Sequence, residues 1–212
     1  MQTVTLYHGS RHGITGNIQP AGRPECDFGK GFYMYKKSEH AKALVYNQPD
    51  AAIYSVKLHL ENIPENRILR LSGMEWVYYV LYNQKRLEDV KNTKFYRRYA
   101  AMDENTDVII GPAAADYLSI TLQQFADGMF PDRVIYETLR TISIIWQYTA
   151  KTRAACSQVE ITAEKPVIRP YCKKFQDLSM KRCEYEERLT KNIRCKYRRT
   201  GMYLDEILDN IE

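Results

Sequence analysis

The clearest alternation of apolar and polar positions runs from Ala52 to Leu60. Tyr54, Val56, Leu58 and Leu60 fall on one side of an extended chain, and Ile53, Ser55, Lys57 and His59 on the other. A period of two over this length predicts a half-buried β-strand. Thr3 to Tyr7 alternates in the same way and is rich in β-formers. Shorter strands are predicted over Gly31–Tyr35, Arg67–Leu71, Asp107–Gly111, Ile144–Ala150 and Gln158–Thr162, the last two around a short turn-helix. The period lengthens over Gly73–Arg86, where Trp76, Val77, Val80 and Leu81 share a helical face. Further helices are predicted over Tyr117–Asp127 and Asp132–Ser143, split by Gly128-Met129-Phe130-Pro131, and from an N-cap at Ser38 to about Asn47. Arg11 to Lys30 is punctuated by Gly13, Gly16, Pro20, Gly22, Pro24 and Gly29, which predicts an irregular loop.

Beyond Pro166 and Pro170 the pattern changes. Phe175 to Arg199 reads as one long charged helix, broken at Thr200-Gly201. Leu204, Ile207, Leu208 and Ile211 then form an apolar stripe on a short helix over Met202–Ile211. That helix either folds back on the body or docks a partner or second copy. The chain therefore divides into a body (residues 1–165) and a basic helical extension (166–212). Strands in the body do not strictly alternate with helices, so the expected class is α+β.

A chain of 212 residues with 44% apolar and 12% aromatic content fits one domain with an appendage. The five cysteines, Cys26, Cys156, Cys172, Cys183 and Cys195, are odd in number and include no CxxC. They read as reduced thiols, with no structural metal expected. The N-terminal stretch has no basic segment followed by an apolar one, and no apolar run approaches the roughly 18 residues that span a bilayer. A cytoplasmic protein without membrane contact is expected. The net charge of +5 is concentrated near the C-terminus. Ten basic residues between Tyr171 and Arg199 (Lys173, Lys174, Lys181, Arg182, Arg188, Lys191, Arg194, Lys196, Arg198, Arg199) face four acids. Such a segment suits phosphate or an acidic partner, or is a solvated helix face. Tyr171, Tyr185 and Tyr197 within it are candidates for stacking on bases.

Two N-terminal segments carry candidate chemistry. Leu6-Tyr7-His8-Gly9-Ser10 ends a strand with an imidazole followed by a glycine, which admits close approach of another backbone or a ligand. A neutral imidazole both donates and accepts hydrogen bonds, as ribose hydroxyls require. Asp27-Phe28-Gly29-Lys30-Gly31-Phe32-Tyr33 delivers an aromatic pair onto a new strand. If Phe32 faces the core, Tyr33 faces a pocket, where stacking on a flat ring is worth roughly 1–3 kcal/mol.

Together these segments resemble the ADP-ribosyltransferase superfamily, on the branch whose signature is His, Tyr, then an acid or amide. Gly29-Lys30-Gly31-Phe32-Tyr33 is similar to the turn and strand of poly(ADP-ribose) polymerases. Over about residues 3–162 the chain is identified as similar to a bacterial family, number 3990 among the domains of unknown function. The likeness rests on those two blocks, Glu75-Trp76-Val77, Asp107–Pro112 and the strand and turn from Gln147 to Ala155. The resemblance implies a split β-sheet core with flanking helices, and NAD⁺ as co-substrate without a metal. His8 would bond the ribose hydroxyls and Gly9 the nicotinamide carboxamide. Tyr33 would stack on nicotinamide, and Gln147 would hold the reacting ribose. Arg11, Asp27 and Phe28 would shape the pocket or face the pyrophosphate.

Departures from the pattern qualify the expectation. The polymerases have Glu where Gln147 stands, which implies single transfers here, or none. The Ser expected eight residues after Tyr33 is Ala41, and no Glu stands two residues to either side of Gln147. Asp116 is a candidate acid for activating an acceptor, or an N-cap for the helix that follows. The relatives imply a toxin of toxin–antitoxin or phage-defence modules, with an RNA, DNA or protein acceptor and an antitoxin partner. Lys173, Lys174, Lys181, Arg182, Arg194, Lys196, Arg198 and Arg199 would bring a nucleic acid or partner to the site. NAD⁺ hydrolysis and a catalytically degenerate binding module are the alternatives.

Overall fold

A computed structural model describes residues 2–48, 50–115, 117–167 and 170–210. Within them, seven strands form one sheet: β1 (Thr3–Ser10), β2 (Phe32–Tyr35), β3 (Ala52–His59), β4 (Ile68–Arg70), β5 (Val108–Pro112), β6 (Trp146–Ala150) and β7 (Val159–Pro166). Their spatial order is β4-β5-β6-β2-β1-β3-β7. All neighbours are antiparallel except β4 and β5. The helices are α1 (Ser38–Ala43), α2 (Gly73–Asn83), α3 (Lys94–Glu104), α4 (Tyr117–Ala126), α5 (Asp132–Thr141), α6 (Arg153–Cys156), α7 (Pro170–Tyr197) and α8 (Leu204–Asp209). The class is α+β, with helices set between and after the strands.

The strand pattern explains the two faces of the sheet. Leu6, Phe32, Met34, Tyr54, Val56, Leu58, Tyr148 and Ala150 share one apolar cluster, as alternation along β1, β2, β3 and β6 requires. Tyr33 turns the other way, against the large cluster built by α2, α4 and α5 around Phe28, Trp76, Tyr79 and Phe125. Trp76 is fully buried, and its indole N–H donates to the Pro112 carbonyl at 2.8 Å, tying α2 to the end of β5.

β1 pairs with β3 over its full length, from Thr3–His59 to Ser10–Ala52. Its pairing with β2 is reduced to a single register pair, Tyr7–Tyr35. Beyond that pair the two strands carry no further ladder.

Several expected boundaries shift. Ser38 is the first residue of α1 rather than its N-cap; Lys37 takes that position without a side-chain bond, and the helix stops at Ala43, short of Asn47. α3 lies in a stretch where the sequence pattern predicts no element. Thr93 caps it by accepting the Tyr96 N–H, and Tyr99 is its buried residue. The boundary expected near residue 165 falls inside β7, and the extension packs tightly on the body. Leu204 of α8 belongs to the main core, and Leu189, Ile193 and Tyr197 of α7 pack against it. Ile211, the last position of the expected stripe on α8, lies outside the described residues. Among the described residues, no helix is long and apolar enough to cross a membrane.

Candidate functional site

His8 stands where β1 and β2 part. Its Nδ1 lies 2.7 Å from the Tyr33 carbonyl oxygen, on the strand it no longer pairs with. A carbonyl only accepts, so Nδ1 carries the proton and Nε2 keeps its lone pair in the neutral ring. The imidazole stacks on Phe32 with ring centroids 4.0 Å apart. Burial lowers the His8 pKa below its ordinary value, and the bond to the Tyr33 carbonyl opposes the shift only in part.

Gly9 follows with no room for a side chain. A Cβ there would collide with the carbonyl oxygen of Ala41, which is itself fully buried in α1. α1 thus backs directly onto β1, and Ala41 occupies the place where a serine was sought.

Tyr33 is half-buried on the opposite face of the sheet from His8. Its hydroxyl donates to the Gly29 carbonyl at 2.7 Å and accepts from the Phe28 N–H at 3.1 Å, closing its own glycine turn. Burial raises its pKa, with Cys26 and Asp27 adding to the effect. Gly29 adopts a φ of +67°, the left-handed conformation that this turn needs. His8 meets Tyr33 only at its backbone carbonyl; the two rings lie on opposite faces of the sheet, so the expected convergence of both side chains on one NAD⁺ is not found.

Gln147 is 1% exposed, so it is not a rim residue. Its amide nitrogen donates to Asp27 Oδ2 at 2.9 Å and to the Pro112 carbonyl at 3.1 Å. Its oxygen accepts from the Tyr35 hydroxyl at 3.4 Å. Asp27 Oδ2 also accepts the Ala114 N–H at 2.7 Å. Burial pushes the Asp27 carboxyl above its ordinary value, against the lowering effect of those two hydrogen bonds. The result is a deep-set carboxylate–amide pair on the Tyr33 face. Sequence reading placed Asp27 near the pocket but missed this pairing, which joins residues 120 apart.

The remaining candidates divide. Phe28 is a core residue, 0% exposed and edge-on to Tyr79 at 6.1 Å. Arg11 is exposed at the start of the loop. Asp116 lies outside the described residues, as do the side chains of Tyr171, Cys172 and Lys174. Arg182 and Arg194 point into the body: Arg182 donates to Glu186 and the Ser143 carbonyl, and Arg194 to the Met129 carbonyl. Lys173, Lys181, Lys196, Arg198 and Arg199 are exposed.

A cleft of about 400 Å³ opens behind the signature turn, lined by Gly29, Lys30, Tyr82, Tyr96, Asp103 and Lys151 among others. At its base the Lys151 ammonium donates to the Phe28 carbonyl and pairs with Asp103 at 2.8 Å. The Tyr79 hydroxyl donates to the same carboxylate at 2.6 Å. Lys151 thereby holds the turn from behind. Its place one residue after β6 was visible in the sequence; its partner on α3 was not. Among the described residues, no group of three or more His, Cys, Asp or Glu side chains converges as metal ligands would.

No curated protein and no solved structure matches the chain. One family model does, over residues 4–161, which takes in β1, the signature turn, the Asp27–Gln147 pair and part of β7 and stops before α7. The chain belongs to that family, DUF3990, whose members are described as proteins of unknown function.

Proposed function

We propose that the protein transfers single ADP-ribose groups from NAD⁺ to a macromolecular acceptor with release of nicotinamide. The setting we propose is that of an intracellular toxin or defence effector held in check by an antitoxin protein. The observation that carries this reading is the break in the ladder beyond Tyr7–Tyr35, where His8 bonds the Tyr33 carbonyl and so joins the two most specific sequence blocks. The tautomer fixed by the Tyr33 carbonyl leaves Nε2 as an acceptor for a ribose hydroxyl. The lowered pKa keeps the ring neutral near physiological pH.

The donor set fits NAD⁺. Departure of neutral nicotinamide leaves oxocarbenium character on the ribose, and a nearby carboxylate or oriented dipole stabilises it. Asp27 holds the Gln147 amide by a direct hydrogen bond on the Tyr33 face, so its part is to fix Gln147 rather than to meet a ribose held at His8. NAD⁺, when bound, supplies the scissile bond. Of the chain's own groups, His8 would hold a ribose hydroxyl through Nε2.

A second reading rests on how fully these groups are already engaged. Tyr33, Gln147 and Asp27 all have hydrogen-bond partners within the protein, and Gln147 has almost no exposed surface. This favours a degenerate module that binds without catalysis.

NAD⁺ labelled on its adenylate part, incubated with the protein with and without cell lysate, separates the readings. Nicotinamide release with label fixed on macromolecules supports transfer, and free ADP-ribose alone supports hydrolysis. No release, with His8→Ala as toxic in cells as the parent, leaves the binding module.

A further inference from the structure

The long helix α7 lies beyond the family-matched segment, and its two sides are built differently. The inner side holds the helix down. Phe175 is buried and lies under Lys42 of α1, with the ammonium 5.7 Å from the ring centroid. Leu189 and Ile193 pack on the core, Thr190 is buried, and Arg182 and Arg194 reach body carbonyls.

The outer side has the opposite character. Lys181, Tyr185, Arg188, Asn192 and Lys196 are all exposed, at spacings of four, three, four and four residues, which set them in one stripe. No acid falls at any of these positions. Two of the acids on α7 are occupied elsewhere: Glu186 is buried beside Arg182, and Glu187 pairs with Lys191 at 2.8 Å. Asp177 stands four residues before Lys181 and Glu184 four before Arg188, so two exposed acids border the stripe as i,i+4 neighbours of its cations. Tyr185 is 52% exposed, with the Arg188 guanidinium 5.9 Å from its ring centroid. A large aromatic left open beside a cation on a helix already fixed by its other side contributes little to folding.

We propose that this outer stripe is a track for single-stranded nucleic acid. Lys181, Arg188 and Lys196 would neutralise successive phosphates, and Tyr185 backed by Arg188 would stack on an unpaired base. The stripe spans about 22 Å at the helical rise per residue, enough for several nucleotides. The inference does not depend on NAD⁺ chemistry.

The test is fluorescence anisotropy with one labelled oligonucleotide sequence as single-stranded RNA, single-stranded DNA and duplex DNA, across a salt series. The intact protein is expected to bind both single strands more tightly than the duplex, with affinity falling steeply with salt. Replacing Lys181, Arg188 and Lys196 by alanine should flatten the log–log salt slope by about 2, near ~0.7 for each phosphate that is no longer neutralised. Tyr185→Ala should weaken binding roughly fivefold or more with the slope unchanged. His8→Ala should bind like the parent, which separates this inference from the catalytic one. No binding at low ionic strength, tighter binding to the duplex, or an unaltered slope in the triple variant would overturn it. Circular dichroism and melting of these surface variants check that the fold is intact.

Discussion

At the scale of single residues, the site depends on hydrogen bonds that fix groups in place. The Tyr33 hydroxyl has two partners in its own turn, so Tyr33→Phe leaves the Phe28 N–H and Gly29 carbonyl without them. A loss of about 1–3 kcal/mol is expected, read as a lower midpoint in chemical denaturation with an unchanged m-value. Gly9→Ala forces a methyl against the Ala41 carbonyl and should cost about 1–3 kcal/mol by the same measurement.

His8 and Asp27 make stability depend on pH in opposite senses. The folded His8 pKa lies below the unfolded value, so the unfolded chain binds the proton first. Its contribution is present above about pH 6.5 and is lost as pH falls from there through the folded pKa. The folded Asp27 pKa lies above the unfolded value. Its contribution is present below the unfolded pKa and is lost as pH rises through the folded one. Urea melts across pH should therefore show His8→Gln flattening the acid-side decline. The stability of the parent relative to Asp27→Asn should grow as the solution is made more acid. A parallel pH profile for Asp27→Asn and parent would show that the carboxyl is not perturbed.

At the scale of elements, the strands with clean alternation were legible. The Tyr54, Val56, Leu58 side of β3 is buried where the pattern placed it. α3 was not. Its inward residues Phe95, Tyr99 and Met102 recur at helical spacing, but Lys94, Arg97, Arg98, Asp103 and Glu104 among and beside them mask the period. The Thr93 cap was the remaining signal. The site divides in the same way. His8 and the glycine turn stand out because they are local, whereas the Asp27–Gln147 and Lys151–Asp103 pairs form only when distant segments meet. α8 illustrates the limit from the other side: its apolar stripe was clear, but its destination was not. Leu204 is 4% exposed within the main core, and Leu204→Ala should cost about 2–5 kcal/mol, seen as a fall in Tm.

At the scale of the whole molecule, a family-matched body carries the candidate chemistry, and a helix outside the match carries most of the charge. If the body consumes NAD⁺, His8→Ala should reduce nicotinamide release at least roughly tenfold, beyond any loss from the fall in Tm that removing the Phe32 stack and the Tyr33 bond brings. The outer stripe of α7 can be changed without touching that result, because its residues are exposed and lie outside the family-matched body.

The lone rung at Tyr7–Tyr35 has a mechanical consequence. Three strands, β1, β3 and β7, are firmly zipped on one side, and four, β4, β5, β6 and β2, on the other. Load or thermal agitation that prises the assembly apart meets its weakest seam at that join. Backbone amides lining the seam should exchange with deuterium sooner than those within either plate, so the plates behave as leaves joined along a single stitch.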